Sequence, residues 1–423
     1  MRSTALWALL ILALAAGCGN PNVVRKVPDG IPAYLGRAVD NYDSATGIEM
    51  KGNFDGSTSD RSAELARRLN AAGADKIRAD GKLAALAGTY GWVFLDSKRL
   101  PSGPLREFLA GRMGVACSIR NWHVAWAASR RGRQHVFLDG VFVDAVEETR
   151  KLQDVNRVGF FHIDDGVRKG WGMVVATCPD ELKGLKKRYA PGETIRFSGS
   201  FPVPVDRAVV LMSGDSPGVE SEAVAIRQSG AFEVSLDAPR DPGVHHIQVQ
   251  YKKAEESGKT QEWKTLFDVP VYVGVPEPEE PEAFVSNPTP NPDDMETWSD
   301  ALLAIYNRER TKFGIPRLER LVKEGSTLDP TEAAEGDGST ASTDRTMKRR
   351  IDWHGVAEKD AVSRRWFFEH LAATAEERLK IPSERRLILD PRRTKYLAGF
   401  SKIKGDAHKF RSFEYFIEDK GAR

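Results

Sequence analysis

The spacing of apolar residues changes along the chain, and each change marks a different kind of structure. Between about 58 and 113, apolar residues recur every three or four positions, which predicts amphipathic helices. Apolar runs between about 123 and 176 predict strands, and short alternating runs separated by Gly and Pro predict many more strands from about 189 to 273. Helical spacing returns from Thr297 to Phe313, and Gly314 is placed to end that helix.

This order of segments predicts a multidomain protein. Its 423 residues suit two to four domains, and a hydrophobic fraction of 41% is enough to build their cores. The boundaries follow the changes in pattern and composition. They give a tether at 19–57, an α+β domain at 58–185, an all-β sandwich at 188–275, a linker rich in Pro and acidic residues at 276–296, and a C-terminal domain at 297–423.

The N-terminus predicts export. Met1 and Arg2 precede a short apolar run, and small residues then lead to Cys18. The run is shorter than the roughly 20 residues that span a bilayer, which is typical of a signal peptide. The segment resembles a bacterial lipobox, although Ala15 stands where that motif usually has Leu. The resemblance implies a lipid on Cys18 and a place in the cell envelope, at the outer membrane of a Gram-negative cell; an ordinary signal peptide and a secreted protein are the alternative.

Two further cysteines, Cys117 and Cys178, form a candidate pair, because an oxidising compartment permits disulfides. Two buried thiols that never meet are the alternative. Cys117 also lies near His123 in the sequence, but a nucleophile and its base must be in contact, and a structural Cys117 is the preferred interpretation.

The middle domain resembles a known class of sandwich. Gly230-Ala231-Phe232 followed by Pro242-Gly243-Val244 is similar to bacterial immunoglobulin-like modules. The resemblance implies an Ig-like sandwich that works as a spacer or an adhesive unit.

The C-terminal domain carries two motifs in order. The first runs from Leu302 to Leu318, and the second runs from Pro382 to Pro391 and is followed by Leu397-Ala398-Gly399-Phe400. Together they resemble bacterial CAP domains, also called SCP-like domains or the cysteine-rich secretory protein superfamily. The resemblance implies a C-terminal α-β-α sandwich over 297–423. The positions that match the motifs are Asn307, Glu309, Arg310, Gly314, Pro316, Leu318 and Arg385.

The departures from that family concern its metal cleft. The family's second histidine falls at Glu384, and a Trp of the family falls near Arg378. His354 and His370 are the local candidates for the first histidine. A carboxylate suits neither proton transfer near neutral pH nor zinc binding as well as an imidazole does, so we expect no metal and no cofactor. A hard-metal site formed by His370 and Glu384 is the alternative, and a solvated Glu384 is the default expectation.

The first α+β domain resembles the same family less closely. Asp80, Leu83, Leu86 and Ala87 are spaced as in a CAP helix, and the stretch 155–160 resembles the strand that closes a CAP domain. The domain is therefore a candidate diverged copy of the C-terminal one.

The distribution of charge along the chain indicates which classes of partner it can bind. The net charge is only +2, but residues 344–423 hold 20 Lys and Arg against 13 Asp and Glu. This excess suits an anionic envelope polymer or another envelope protein, whereas a solvated basic face is the structural alternative. An exported chain rarely meets nucleic acid, so we expect no nucleic-acid partner.

These observations favour binding over catalysis. The sequence has neither a Gly-x-Ser-x-Gly elbow nor a P-loop. We expect a lipid-anchored cell-envelope protein that acts through a degenerate CAP-like domain. Two alternatives stay open, namely a cell-wall hydrolase that uses Glu384 as its acid/base and an adhesin or spacer centred on the sandwich.

Overall fold

The computed structural model describes most of the chain in segments, and these form two compact units, one drawn from residues 25–284 and one from residues 285–423. The described segments are 38–44, 57–70, 77–97, 101, 103–128, 142–149, 152, 154–164, 168–213, 219–227, 229–254, 263–279, 295–321, 361–368, 371–403 and 406–418. Cys18, His354 and His370 lie outside them, as does most of the predicted tether and linker.

The first unit begins with an α+β domain whose sheet has the strand order β1-β3-β4-β2. Strands β1 and β3 are parallel, and the other neighbours are antiparallel. The elements in chain order are α1 (Ser57–Asn70), β1 (Arg78–Ala79), α2 (Gly81–Ser97), α3 (Gly103–Arg112), β2 (Ser118–Ala128), α4 (142–149), β3 (Arg157–Asp164) and β4 (Arg168–Thr177).

Helices cover both faces of this sheet, because successive residues of a strand point to opposite sides. Val174 packs with α2 and α3, whereas its neighbours Met173 and Val175 pack with α1 and α4. Helix α2 lies very close to β3, since a Cβ placed on Gly159 would lie only 2.0 Å from the backbone carbonyl carbon of Leu83. The first domain is therefore a three-layer α-β-α structure.

The second part of the first unit is a sandwich of two sheets around one core. One sheet has the order β10-β11-β7-β5 and the other β6-β13-β12-β8-β9. The sandwich begins earlier than the sequence predicts, because β5 belongs to it. Its strands are β5 (Glu181–Lys183), β6 (Arg188–Tyr189), β7 (Thr194–Ser200), β8 (Val205–Ser213), β9 (Val219–Ala223), β10 (Ala225–Ile226), β11 (Ala231–Asp237), β12 (Gly243–Lys253) and β13 (Lys264–Val273).

A short stretch of chain, residues 38–44, joins the α+β domain to the sandwich, and we call it the strap. The Tyr42 ring is 1% exposed within the sandwich core, and its hydroxyl donates to the Pro270 carbonyl at 2.7 Å. On the other side, Lys82 of α2 donates to the Asp43 carbonyl at 2.7 Å. Gly114 has φ +63, and a Cβ there would lie 2.6 Å from the Asn41 carbonyl oxygen. This part of the predicted tether is therefore an integral part of the fold.

Ion pairs reinforce the same boundary. Asp154, which has a left-handed φ of 69°, forms ion pairs with Lys253 of β12 and Lys264 of β13. The buried Lys187 lies 3.0 Å from Glu277, so the first residues after β13 pack against the unit before the linker leaves it. The two domains that the sequence divides near 185–188 thus form one compact body.

The second unit is built on a sheet with the order β14-β16-β17-β15, in which β14 and β16 are parallel and the others antiparallel. Its core joins α5 to α6, α7 and the sheet. The α-β-α sandwich that the CAP resemblance implies for 297–423 is tested only in part, because residues 322–360 lie outside the described residues. The elements are α5 (Met295–Lys312), β14 (Glu319–Arg320), β15 (Ala361–Phe368), α6 (Leu371–Lys380), α7 (Pro382–Ile388), β16 (Arg393–Ile403) and β17 (Asp406–Glu418).

The structure confirms the coarse prediction of a multidomain protein with α+β and all-β parts. The helices and strands predicted within the described residues occur at the predicted places. Among those residues, no helix combines the length and apolar character needed to cross a membrane.

Candidate functional site in the C-terminal domain

A group of buried polar side chains surrounds Arg378 and Glu384, and we call it the charged centre. It consists of Tyr306, Arg378, Glu384, Tyr396 and Glu414, which come from α5, α6, α7, β16 and β17. The guanidinium of Arg378 is in the middle. Its Nη2 lies 2.7 Å from Glu384 Oε2, and its Nη1 lies 2.6 Å from Glu414 Oε1. One cation thus pairs with two carboxylates.

Two tyrosines complete the charged centre. The hydroxyls of Tyr306 and Tyr396 donate to Glu414 Oε2 at 3.2 and 3.0 Å, and Arg378 Nη1 donates to the Tyr306 hydroxyl. Burial raises the pKa of both tyrosines well above the ordinary value, so both hydroxyls keep their protons. Burial also lowers the pKa of Arg378, but Glu414, Tyr306 and Glu384 raise it more, so the guanidinium stays charged.

The position of Glu384 differs from the sequence expectation. The sequence predicts a solvated carboxylate, but Glu384 is only 7% exposed and accepts two hydrogen bonds from Arg378. Pro382 opens α7 directly after α6, and this tight connection brings Glu384 back onto Arg378. The solvated interpretation of Glu384 is therefore wrong. A carboxylate whose charge is compensated in this way is poorly suited to exchange protons with a substrate.

The residues that match the CAP motifs act as joints of the domain. Asn307 donates to the Leu318 carbonyl at 2.9 Å and accepts from the Leu318 N–H at 2.7 Å. The guanidinium of Arg310 donates to four backbone carbonyls, those of Pro316, Ile388, Asp390 and Arg393. Burial lowers the pKa of Arg310 to about 10, which still leaves it charged at neutral pH.

Three other motif positions lie at the surface side of the same joint. Glu309 contacts Lys312 at 2.7 Å and Arg385 at 3.4 Å. The Arg385 guanidinium also lies 5.3 Å from the centre of the Phe313 ring, and Gly314, with φ +65, ends α5. These contacts fix the end of α5 against α7.

The metal candidates are not brought together by the described residues. His370 lies outside them, and the Glu384 carboxylate is bound to Arg378. Within the described part of the chain, no cluster of three or more His, Cys, Asp or Glu side chains is arranged to hold a metal ion.

The candidate cysteine pair lies in the first unit. Cys117, just before β2, and Cys178, just after β4, form a disulfide. Cys117 is thus not a free thiol, and the ring of His123 instead lies 2.9 Å from the Asn121 side-chain amide. Burial lowers the pKa of His123.

Comparison with known proteins adds little to this geometry. No protein-family model matches the chain, and no curated protein matches it. Two solved structures are similar in part. An outer surface protein from Borrelia burgdorferi is 10% identical with a TM-score of 0.21, and the match covers 27% of this chain and 88% of that one. A cysteine-rich secretory protein from Staphylococcus aureus is 10% identical with a TM-score of 0.23, covering 53% of this chain and 76% of that one. At TM-scores of this size, neither likeness assigns a fold or a function.

Proposed function

We propose that this chain is an exported cell-envelope protein, anchored by a lipid on Cys18, and that it acts by binding through a CAP-like C-terminal domain. The signal-like N-terminus and the two CAP-like motifs support the location and the family. The partner that the basic composition of 344–423 suits best is an anionic envelope polymer.

One observation carries the choice of binding over catalysis. Arg378 holds Glu384 from one side and Glu414 from the other, and both carboxylates are buried. A hydrolase of the rival type needs an acid/base that meets its substrate and a second group in the same cleft. Here the second carboxylate, Glu414, is 0% exposed and accepts from Arg378 and two tyrosines. The same pairing removes Glu384 as a metal ligand.

Purified sacculi provide a direct test. We expect the soluble chain from residue 19 onward to sediment with sacculi that carry their anionic polymers, and to sediment less as salt is added. Release of soluble muropeptides in the same samples should stay at the level of a protein-free control. Release above that control by the wild-type chain would contradict binding without hydrolysis, and failure to sediment at low salt would exclude this class of partner.

Mass spectrometry of the mature N-terminus tests the location. Expression in a Gram-negative host should yield a chain that begins at an acylated Cys18. Cys18→Ser should stay unacylated and leave the membrane fraction. An unprocessed chain in the cytosol would contradict export.

A further inference from the structure

The sheets of the two α+β domains are built in the same way. The first has the order β1-β3-β4-β2, and the second has β14-β16-β17-β15, which are the strands in the same chain order. In each sheet the short first strand is parallel to the third strand, and the remaining pairs are antiparallel. A helix precedes the short strand in both. Between the second and third strands lie one helix, α4, in the first domain and two helices, α6 and α7, in the second.

An asparagine makes the same pair of hydrogen bonds in each domain. Asn70, at the end of α1, donates to the Ile77 carbonyl at 2.8 Å and accepts from the Ile77 N–H at 2.9 Å. Asn307 of α5 does the same to Leu318. Ile77 and Leu318 each stand directly before the short strand. The same joint therefore occurs at the same point of both domains.

The asparagines and the strand registers align the two domains residue by residue. From Asn70 and Asn307 backwards, Ser62 matches Ser299, Leu65 matches Leu302 and Leu69 matches Tyr306, and all six are buried. From the pairing of the strands, Val158 matches Tyr396, Val175 matches Phe416 and Met173 matches Glu414. In this alignment Gly159 matches Leu397. The sequence motif instead matches Gly159 with Gly399, so the two alignments differ by two residues.

The aligned positions that differ in chemistry are in contact with one another. Tyr306, Tyr396 and Glu414 are joined by hydrogen bonds, and their counterparts Leu69, Val158 and Met173 belong to one apolar cluster. A buried ion network is often no more stable than an apolar core of similar volume. The three positions therefore differ between the domains as one connected group. A gain in folding stability alone does not explain the polar group in the second domain.

We propose that the two α+β domains are copies of one module, that the second has a charged centre where the first has an apolar one, and that Arg378 is the positioning residue that holds Glu384 and helix α7 in place. This goes beyond the proposed function, because it does not depend on what the protein binds.

Hydrogen exchange on the full chain tests the positioning role. In Glu384→Gln the Arg378–Glu414 pair remains, so we expect the fold to persist while amides of α7 exchange faster by about ten-fold or more. Amides of α5 should keep their rates. Glu376→Gln is the matched control, because Glu376 lies on the same helix as Arg378 but is 57% exposed and pairs with an exposed Arg308. Equal α7 rates in the two variants would overturn the positioning role.

A second variant covers the case in which Glu384→Gln loosens the whole domain. This variant carries five substitutions: Tyr306→Phe, Tyr396→Phe, Arg378→Met, Glu384→Met and Glu414→Met. It keeps side chains of similar volume but removes every charge from the charged centre. We expect this chain to unfold at or above the wild-type temperature while α7 still exchanges faster than in the parent. Slow α7 exchange in this variant would show that packing alone positions the helix.

The asparagines test the copy assignment. Asn70→Ala and Asn307→Ala should each speed exchange at the start of the adjoining short strand, at 77–79 and 318–320 respectively, by similar factors. Asn307→Asp keeps the hydrogen bond that the Leu318 N–H donates. Its exchange rates at 318–320 should therefore lie between those of the wild type and Asn307→Ala. A large effect at one site and none at the other would contradict equivalent joints.

Discussion

His246 lies at the boundary between the first α+β domain and the sandwich, with a carboxylate on each side of its ring. Its Nδ1 lies 2.9 Å from Asp268 Oδ1, and its Nε2 lies 3.1 Å from Glu107 Oε1 of α3, although that second contact lacks hydrogen-bond geometry and is electrostatic. Gln248 donates to the other oxygen of Asp268 at 3.3 Å. Burial lowers the pKa of His246, but the two carboxylates outweigh it and raise the pKa to about 10.

The free energy of unfolding should therefore depend on alkaline pH. The folded chain keeps the His246 proton up to about pH 10, whereas the unfolded chain releases it near its ordinary pKa of about 6.5. This contribution is complete below the unfolded pKa, and it is lost as pH rises towards 10, with a slope of up to about 1.4 kcal/mol per pH unit. Urea unfolding at pH 7, 8 and 9 measures it.

Two variants isolate the contribution of this histidine. His246→Gln should flatten the slope. His245→Gln should keep it, because the ring of His245 contacts the carbonyls of Ser213 and Asp241 rather than carboxylates. Equal slopes in the wild type and His246→Gln between pH 7 and 9 would show that the three groups are not coupled.

Among the elements, the helices and strands follow from spacing, whereas the strap does not. Strand β11 alternates in burial as its sequence does, and α5 buries the predicted Leu302 and Tyr306. The strap has no such period, because its hydrogen bonds go to α2, to the end of α3, to β5 and the turn after it, and to β13, which are distant in sequence. The charged centre was missed for a similar reason. Burial of the Glu414 carboxylate depends on its ion pair with Arg378. The two residues are far apart in sequence, so no local pattern predicts the pair.

Truncation of Tyr42 should show how much the strap contributes. Tyr42→Ala removes a ring from the sandwich core and the bond to Pro270, so we expect a loss of about 3 kcal/mol or more in urea unfolding. Asp40→Asn is the control in the same segment. Asp40 is 77% exposed and pairs with an exposed Arg188, so its loss should cost less than about 0.5 kcal/mol. Similar losses in both variants would mean that Tyr42 is not an anchor.

At the scale of the whole molecule, the first unit is held by constraints that act over long stretches of chain. The strap, the ion pairs of Asp154 and His246, and the disulfide all lie within the unit that joins the α+β domain to the sandwich. Sequence patterns predicted both domains but not their union, since patterns report which face is apolar and not which surface meets it.

Reduction of the disulfide should lower the stability of the first unit. Cys117 and Cys178 are 61 positions apart, and closure of a loop of that size contributes about 4 kcal/mol in the chain-entropy model. We expect the unfolding midpoint of this unit to fall in reductant and in Cys117→Ser/Cys178→Ser. The double variant should be insensitive to reductant, and a wild-type midpoint that reductant leaves unchanged would contradict the pairing.

The strap also determines where a pull on the N-terminus is felt. Under the proposed anchoring, about 20 residues separate the lipid from Val39, so the body stands at most about 70 Å from the bilayer. Tension on this segment therefore acts on the boundary between the first α+β domain and the sandwich. There it is shared at once among Arg112, Lys187, Leu185 and Leu182, whose backbone groups hold the strap. Under the proposed anchoring, a pull on the lipid must therefore break these hydrogen bonds before it can separate the strap from the first unit.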